Sequence, residues 1–466
     1  MALSAPHRAA LEGDADACAA IPREHLDDAD ARGLCCLHLA SLAGHEAIVG
    51  MLLERGASLA PETTVVLSPV SRLDRDRAKN LGLPRTADDL GDCPLVDRGA
   101  TALHLAGAQG HAGVVARLLE AGAAPAAPTA FGATPLHLAA RAGSLACVRL
   151  LLERGVPVDA ALPSQAVPGF YDAGVTALHA AAERGALEVV DALLEAGADA
   201  TLRTRTGCGA LFFAARSARA DVVRRLVEAG AVVAAPRSAH DDPLREAILR
   251  NAEDCIAPLL AAGASVHGVF AAEESRHRSP VLLLAPPLAA AIRHRRGAIA
   301  DLLRAAGAKD PSYANLDEAI AAGDLDEAQR RFSLGERPAL RAEHEPSALE
   351  LAVVAGSPEL VEILLSLGED PEPPLQRDLQ HRDGISLLHR AALGVGPGSH
   401  PVELDLYRES CLQIARVLLG AGVDPSIEDR HGNPPLHYAR RNGFKAMEAL
   451  LRGAPSPGPE QRGRRP

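Results

Sequence analysis

The chain has 466 residues, a net charge of −12, no Trp and an aromatic content of only 2%. A chain with a pI near 5.8 lacks the basic footprint of a general binder of nucleic acid or anionic membrane, so both classes are set aside. Without aromatic bulk the core must be built from Ala, Leu, Val and Gly, which suits thin elements packed closely and repeatedly rather than large globules.

The N-terminus, "MALSAPHRAALEGDADACAA", has no basic segment followed by an apolar one, so no signal peptide is expected. Residues 5–30 read as a short capping helix pair, and "GLCCLHLASLAGHEAIVGMLLERGA" from Gly33 as the first full pair. Residues 61–96 break the pattern. Counting 15 and 16 residues on from Val70 gives Arg85 and Thr86, so the apolar triplet of a second helix is missing and the stretch reads as an insert. "GATALHLAGAQGHAGVVARLLEAGA" from Gly99, "GATPLHLAARAGSLACVRLLLERGV" from Gly132 and "GVTALHAAAERGALEVVDALLEAGA" from Gly174 are clean copies, with a second insert at 157–170. In 205–238 Phe212 stands at the His position and Arg219 replaces the Gly-His turn. Looser copies follow at 239–270, 286–310, 314–338, 346–374, 381–430 and 431–454, with inserts at 268–285 and 394–410. The last insert falls between the two helices of its repeat, so it is expected to project from the opposite edge. The Pro/Gly-rich tail, 455–466, is expected to be disordered. The most apolar run, "PVLLLAPPLAAAI", is well short of the ~20 residues that span a bilayer.

The copies keep a register. Leu103 to Leu136 is 33 residues, as are Leu178 to Leu211 and Leu211 to Leu244; Leu136 to Leu178 is 42 and Leu37 to Leu103 is 66. Within one copy, Gly99 supplies a turn, Thr101 caps the first helix, and Leu103 and small Ala106 face the stack. Gly110 ends the first helix, Val114, Val115, Leu118 and Leu119 bury the second, and Gly122 ends that. Thr134-Pro135-Leu136-His137 and its near copies at Thr101–His104 and Thr176–His179 resemble the ankyrin repeat, as do the looser Ser386–His389 and Pro434–His437. The resemblance implies an all-α fold, an α-solenoid of about twelve ankyrin-type helix-turn-helix repeats joined by β-turn/hairpin loops. It places the N-terminal cap and first repeats in 3–60, central repeats in 97–310 and C-terminal repeats in 314–454.

Little in the chain points to chemistry. The eight cysteines have no CxxC spacing and read as small apolar side chains in a reducing compartment. There is no phosphate-loop, zinc-helix or nucleophile-elbow motif. Six histidines, His38, His104, His137, His179, His389 and His437, hold the repeat's His position. In the resembled family this His bonds the capping Thr and backbone, and rings one layer apart are too distant to share a metal. No catalytic residue, metal or cofactor is expected. The basic cluster "RHRR", 293–296, reads as a solvated turn, with contact to an acidic partner as the alternative.

The resemblance implies a non-catalytic scaffold that binds a protein partner through the concave face and inter-repeat loops. The positions beside the turn Gly and late in the first helix are the candidates: Arg98, Gln109, Phe131, Arg141, Asp172, Glu183, Arg184, Arg205 and Arg216. The expected protein is a cytoplasmic monomer, with the nucleus also open, and no nucleic-acid or membrane partner. The alternatives are an adaptor or secreted effector that recruits a host protein to a cellular machine, and an enzyme concealed in the inserts.

Overall fold

The computed structural model describes residues 4–30, 33–60, 99–130, 132–163, 173–233, 242–267, 286–338, 347–371, 385–394, 401–429 and 431–454. These form 24 α-helices and no strand beyond one isolated bridge, Arg203 to Gly209. Contacts divide the chain into two compact parts, residues 1–237 with 241–247 and 257–264, and residues 238–240, 248–256 and 265–466.

The first part is a run of short helix pairs. They are α1 (Ala5–Glu12) and α2 (Ala15–Ala19), α3 (Cys36–Ala43) and α4 (Glu46–Glu54), α5 (Ala102–Gln109) and α6 (Ala112–Glu120), and α7 (Pro135–Ala142) and α8 (Leu145–Glu153). Then come α9 (Ala177–Arg184) and α10 (Leu187–Glu195), and α11 (Ala210–Arg216) and α12 (Ala220–Glu228). First helices pack on first helices and second helices on second helices. In α5, Thr101 takes the extended N-cap conformation, and Gly110 closes the helix at φ 76°, its N–H bonding Ala106 O. A residue with a Cβ would be strained there. Leu103, Leu105 and Ala106 are buried in the stack of first helices, and Val114, Val115, Leu118 and Leu119 bury one face of α6. One pair cannot cover both faces, so each depends on its neighbours.

α3 packs on α5 and α4 on α6, so the repeats on either side of residues 61–98 are neighbours in space. His111 Nε2 donates to Leu42 O across that gap at 3.1 Å. Two observations refine the reading of 157–170. Leu162 N–H bonds Val175 O at 2.9 Å, and Gly174 N–H returns to Leu162 O at 2.8 Å. This matches the hairpin in which Thr129 N–H bonds Ala133 O at 2.9 Å. The chain is therefore closed by hairpin bonds on either side of residues 164–172, which lie outside the described residues.

The second part contains α15 (Pro287–Arg293), α16 (Gly297–Ala305), α17 (Leu316–Ala322), α18 (Leu325–Ser333), α19 (Ala348–Ala355) and α20 (Pro358–Ser366). It ends with α21 (Leu387–Leu393), α22 (Pro401–Gly420), α23 (Pro435–Arg441) and α24 (Lys445–Gly453). Between the parts in sequence, Pro243–Leu249 and Glu253–Ala261 are helices α13 and α14. The core of the second part runs through Leu316, Ile320, Leu349, Val353, Leu388, Ile414, Leu418 and Met447. α22 is 20 residues long, so residues 401–410 of the expected insert are helical and continuous with the second helix of their repeat. Pro401 opens that helix, where its missing N–H costs nothing. Tyr407 anchors the extension against Gly356, and Arg408 lies 5.4 Å over the Phe444 ring.

Candidate functional site

In each regular repeat a hairpin turn leads into the N-terminus of the first helix, and the C-terminal end of that helix lies a helix length away. The turn is held by a buried polar residue three positions before a left-handed Gly. Thr129 Oγ1 accepts Ala133 N–H at 3.0 Å, Thr204 Oγ1 accepts Cys208 N–H at 3.1 Å, and Asp429 Oδ1 accepts Asn433 N–H at 2.9 Å. Sequence reasoning missed these residues. Their signal is the recurrence of Thr or Asp before x-x-Gly, at 129–132, 204–207 and 429–432.

The motif histidines join each helix to the next hairpin. His104 Nδ1 accepts Thr101 N–H at 3.1 Å and the Thr101 hydroxyl at 2.9 Å. Nδ1 is therefore the acceptor, and Nε2 carries the hydrogen. Nε2 donates to Ala127 O at 2.9 Å and Ala133 O at 3.2 Å, both in the next hairpin. His179 reaches Leu202 O at 3.1 Å and His389 reaches Asn433 O at 2.9 Å. His137 reaches Val175 O at 3.3 Å, so the link survives the lengthened turn. Burial pushes His104 and His137 down to about 4, so both rings are neutral near pH 7. Where Cys35 replaces the capping Thr, its thiol meets His38 Nδ1 at 3.2 Å. Burial raises the Cys35 pKa, which keeps it a thiol rather than a nucleophilic thiolate. His437 departs from the set: it is exposed, and Pro434 at its cap position has no N–H to offer the ring.

The predicted binding residues fall into two groups. Arg98, Phe131 and Asp172 lie outside the described residues. Gln109, Arg141, Glu183, Arg184 and Arg216 sit at the ends of α5, α7, α9 and α11, and Arg205 sits at a hairpin tip. Glu183 and Arg216, from adjacent helices, are 3.8 Å apart and about one-third exposed. The Arg184 stem lies over Gly143 of the preceding repeat, 3.4 Å from where a Cβ would stand. Arg205 N–H bonds Ala173 O at 2.7 Å, which seats its hairpin tip on the one before. Gln109 is half-buried, and its side-chain nitrogen has no hydrogen-bond partner among the described residues. The structure thus joins Glu183 to Arg216 and lays Arg184 on the preceding repeat.

The basic turn at 293–296 is not simply solvated. Arg293 Nε donates to Ala322 O at 3.0 Å and Arg295 pairs with Glu359 at 2.7 Å. Among the described residues no group of three or more His, Cys, Asp or Glu side chains is placed to hold a metal, and no helix is long and apolar enough to cross a membrane.

A family model for ankyrin repeats in three copies matches residues 78–161, 103–204, 158–236 and 178–269, and a single-repeat model matches 32–63. The chain is 34% identical over 93 residues to an E3 ubiquitin-protein ligase, KEG, of Arabidopsis thaliana. That match covers 20% of this chain and only 4% of the length of the ligase. The crystal structure of the human ASB11 ankyrin repeat domain is similar at a TM-score of 0.40 and 23% identity, over 59% of this chain and 99% of that one. The 33-residue register, the capping Thr and the His-to-hairpin bonds coincide with the matched segments, and the chain belongs to the ankyrin-repeat proteins.

Proposed function

We propose that this protein is a non-catalytic scaffold that binds a protein partner through the concave face and inter-repeat loops of its repeats. Ankyrin repeats are generally protein–protein interaction modules, typically without catalysis. The observation that carries the reading is a division of labour within each repeat. Thr101, Leu103 and His104 and their counterparts are spent on packing and on bonds between repeats. The positions that follow, Gln109, Arg141, Glu183, Arg184 and Arg216, change from copy to copy and stay half-buried or exposed. Variable side chains on a repeated rigid frame suit selective recognition of one partner. Arg98, Phe131 and Asp172, beside the turn glycines in sequence, are further candidates. The protein acts as a monomer in the cytoplasm.

The test is capture of partners on immobilised full-length chain. The triple variant Phe131→Ala, Arg141→Ala, Arg184→Ala is expected to lose the captured partner while its circular dichroism spectrum stays that of the parent. Undiminished capture would move the site elsewhere.

A further inference from the structure

We propose that Ser333, the last residue of α18, is a phosphorylation site for an arginine-directed serine/threonine kinase, and that the modification opens the end of its helix. The inference goes beyond the scaffold reading and does not depend on it. Two turns of the second part carry the same three residues in the same register, Ser333-Leu334-Gly335 and Ser366-Leu367-Gly368, 33 positions apart. Both serines are exposed and each ends a helix. Each hydroxyl donates back to a carbonyl three residues earlier, Ser333 to Arg330 O at 2.6 Å and Ser366 to Ile363 O at 2.7 Å. Both leucines are exposed, Leu334 by 71% and Leu367 by 43%. The same place is held by Arg55, Ala121, Arg154, Ala196 and Ala229 in the first part, so packing requires no large apolar side chain there.

The two turns differ in what precedes them. Arg330 and Arg331 stand three and two positions before Ser333, whereas Ile363 and Leu364 stand before Ser366. The Arg330 side chain is 57% exposed, within reach of a kinase that selects by charge. Arg331 is tied down, donating to Tyr313 O at 2.7 Å and pairing with Glu327 and Glu336. To enter a kinase cleft the last turn must leave the helix, and helix ends open more readily than centres. Leu334 N–H already divides itself between Arg330 O and Arg331 O, each at 3.1 Å, the loosened geometry of a helix end. In the transfer, Ser333 Oγ attacks the terminal phosphorus of ATP. An Oγ–P bond forms, the bond from that phosphorus to the bridging oxygen of ADP breaks, and the hydroxyl proton passes to a carboxylate of the kinase. The product has lost the O–H that closed onto Arg330 O. It carries a charge of about −1.5 to −2 at the negative end of the helix dipole, and it competes with Glu327 for Arg330. The turn therefore stays open once the kinase has left.

The test incubates full-length protein with magnesium ATP and the catalytic subunit of cyclic-AMP-dependent protein kinase, an arginine-directed enzyme, and reads the occupancy of each serine by mass spectrometry. Ser333 is expected to fill at least about tenfold faster than Ser366, the built-in control. Arg330→Gln is expected to slow Ser333 by about tenfold, and Leu334→Ala, at an exposed position, by about threefold. The second variant keeps the test decisive should the first disturb the helix. Amide exchange at Leu334 and Gly335 is expected to rise about tenfold after modification. Absence of phosphate on Ser333 overturns the proposal. Equal filling of Ser366 also overturns it, because that is the pattern of an acid-directed enzyme: Glu336 and Glu369 lie equally far beyond the two serines. Labelling that neither variant slows, or exchange that modification leaves unchanged, overturns it as well.

Discussion

Arg295 Nη1 lies 2.7 Å from Glu359 Oε1, although the whole helix pair α17–α18 separates them in sequence. Arg293, two residues earlier, donates to Ala322 O at the end of α17. The turn between α15 and α16 thus reaches over the next repeat to the one after it. Arg295 holds this position at φ 55°, in the left-handed region that most repeats fill with Gly.

Among the described residues two other non-glycine residues share that conformation, Ala218 at φ 54° and Asn251 at φ 55°. Asn adopts it readily, whereas for Ala it costs about 1–2 kcal/mol. Ala218→Gly is expected to stabilise the protein by about 0.5–1 kcal/mol, the left-handed penalty less the added chain entropy of Gly. Arg295→Gly is expected to gain almost nothing, because relief of strain is offset by the lost pair, worth about 1 kcal/mol or less when half-exposed. Urea midpoints of the two variants check the contrast, and a larger gain at Arg295 would mean that the pair contributes nothing.

Acid should loosen the stack through its histidines. His104 and His137 titrate near 4 when folded against 6.5 as the ordinary value, so the unfolded chain takes up protons first as pH falls. Their contribution is complete above about pH 6.5 and is lost as pH drops toward 4, by at most about 1.4 kcal/mol per ring per pH unit. Denaturant midpoints between pH 7 and 5 should fall, and His104→Gln should show a shallower slope than the parent. An unchanged slope would refute the neutral-ring assignment.

Leu136 is 1% exposed within the packed first helices. Leu136→Ala is expected to cost about 2–5 kcal/mol, the transfer energy of the lost atoms plus an unfilled cavity. In an array of repeats this loss should appear first as local opening of neighbours, read by hydrogen exchange in α5, α7 and α9.

Gly44 stands at φ 81° with the His111 ring 2.7 Å from where a Cβ would be. Gly44→Ala therefore meets backbone strain and a clash together. A loss of about 2 kcal/mol or more is expected, since the left-handed penalty alone is 1–2 kcal/mol for most residues. Gly122→Ala, left-handed at φ 91° but with nothing within 4 Å, should lose only the strain. Thermal melts of the pair separate the two causes.

The repeat was legible because each copy repeats one packing problem: Leu103, Leu136, Leu178 and Leu211 return to one register, and the helices form around them. The histidines were legible for the same reason. What escaped depends on contacts between repeats that share no register. Nothing in "RHRR" announces Glu359 as a partner, because the two lie 64 positions apart. The helical start of α22 was hidden behind Gly and Pro residues that read as loop. The hairpin residues Thr129 and Thr204 were passed over because an isolated Thr carries little signal until its bond to Ala133 or Cys208 is seen.

The closed base at Leu162 and Val175 has a consequence for how such a chain can change. Those two residues and His137 settle the bonds to the stack on either side of the interval, so these bonds do not draw on the sequence between them. Lengthening a loop costs little, about 0.6 kcal/mol for each doubling, once its ends are pinned. The interval between Leu162 and Val175 is therefore a port at which new sequence can be spliced in and tried for affinity without renegotiating the architecture around it.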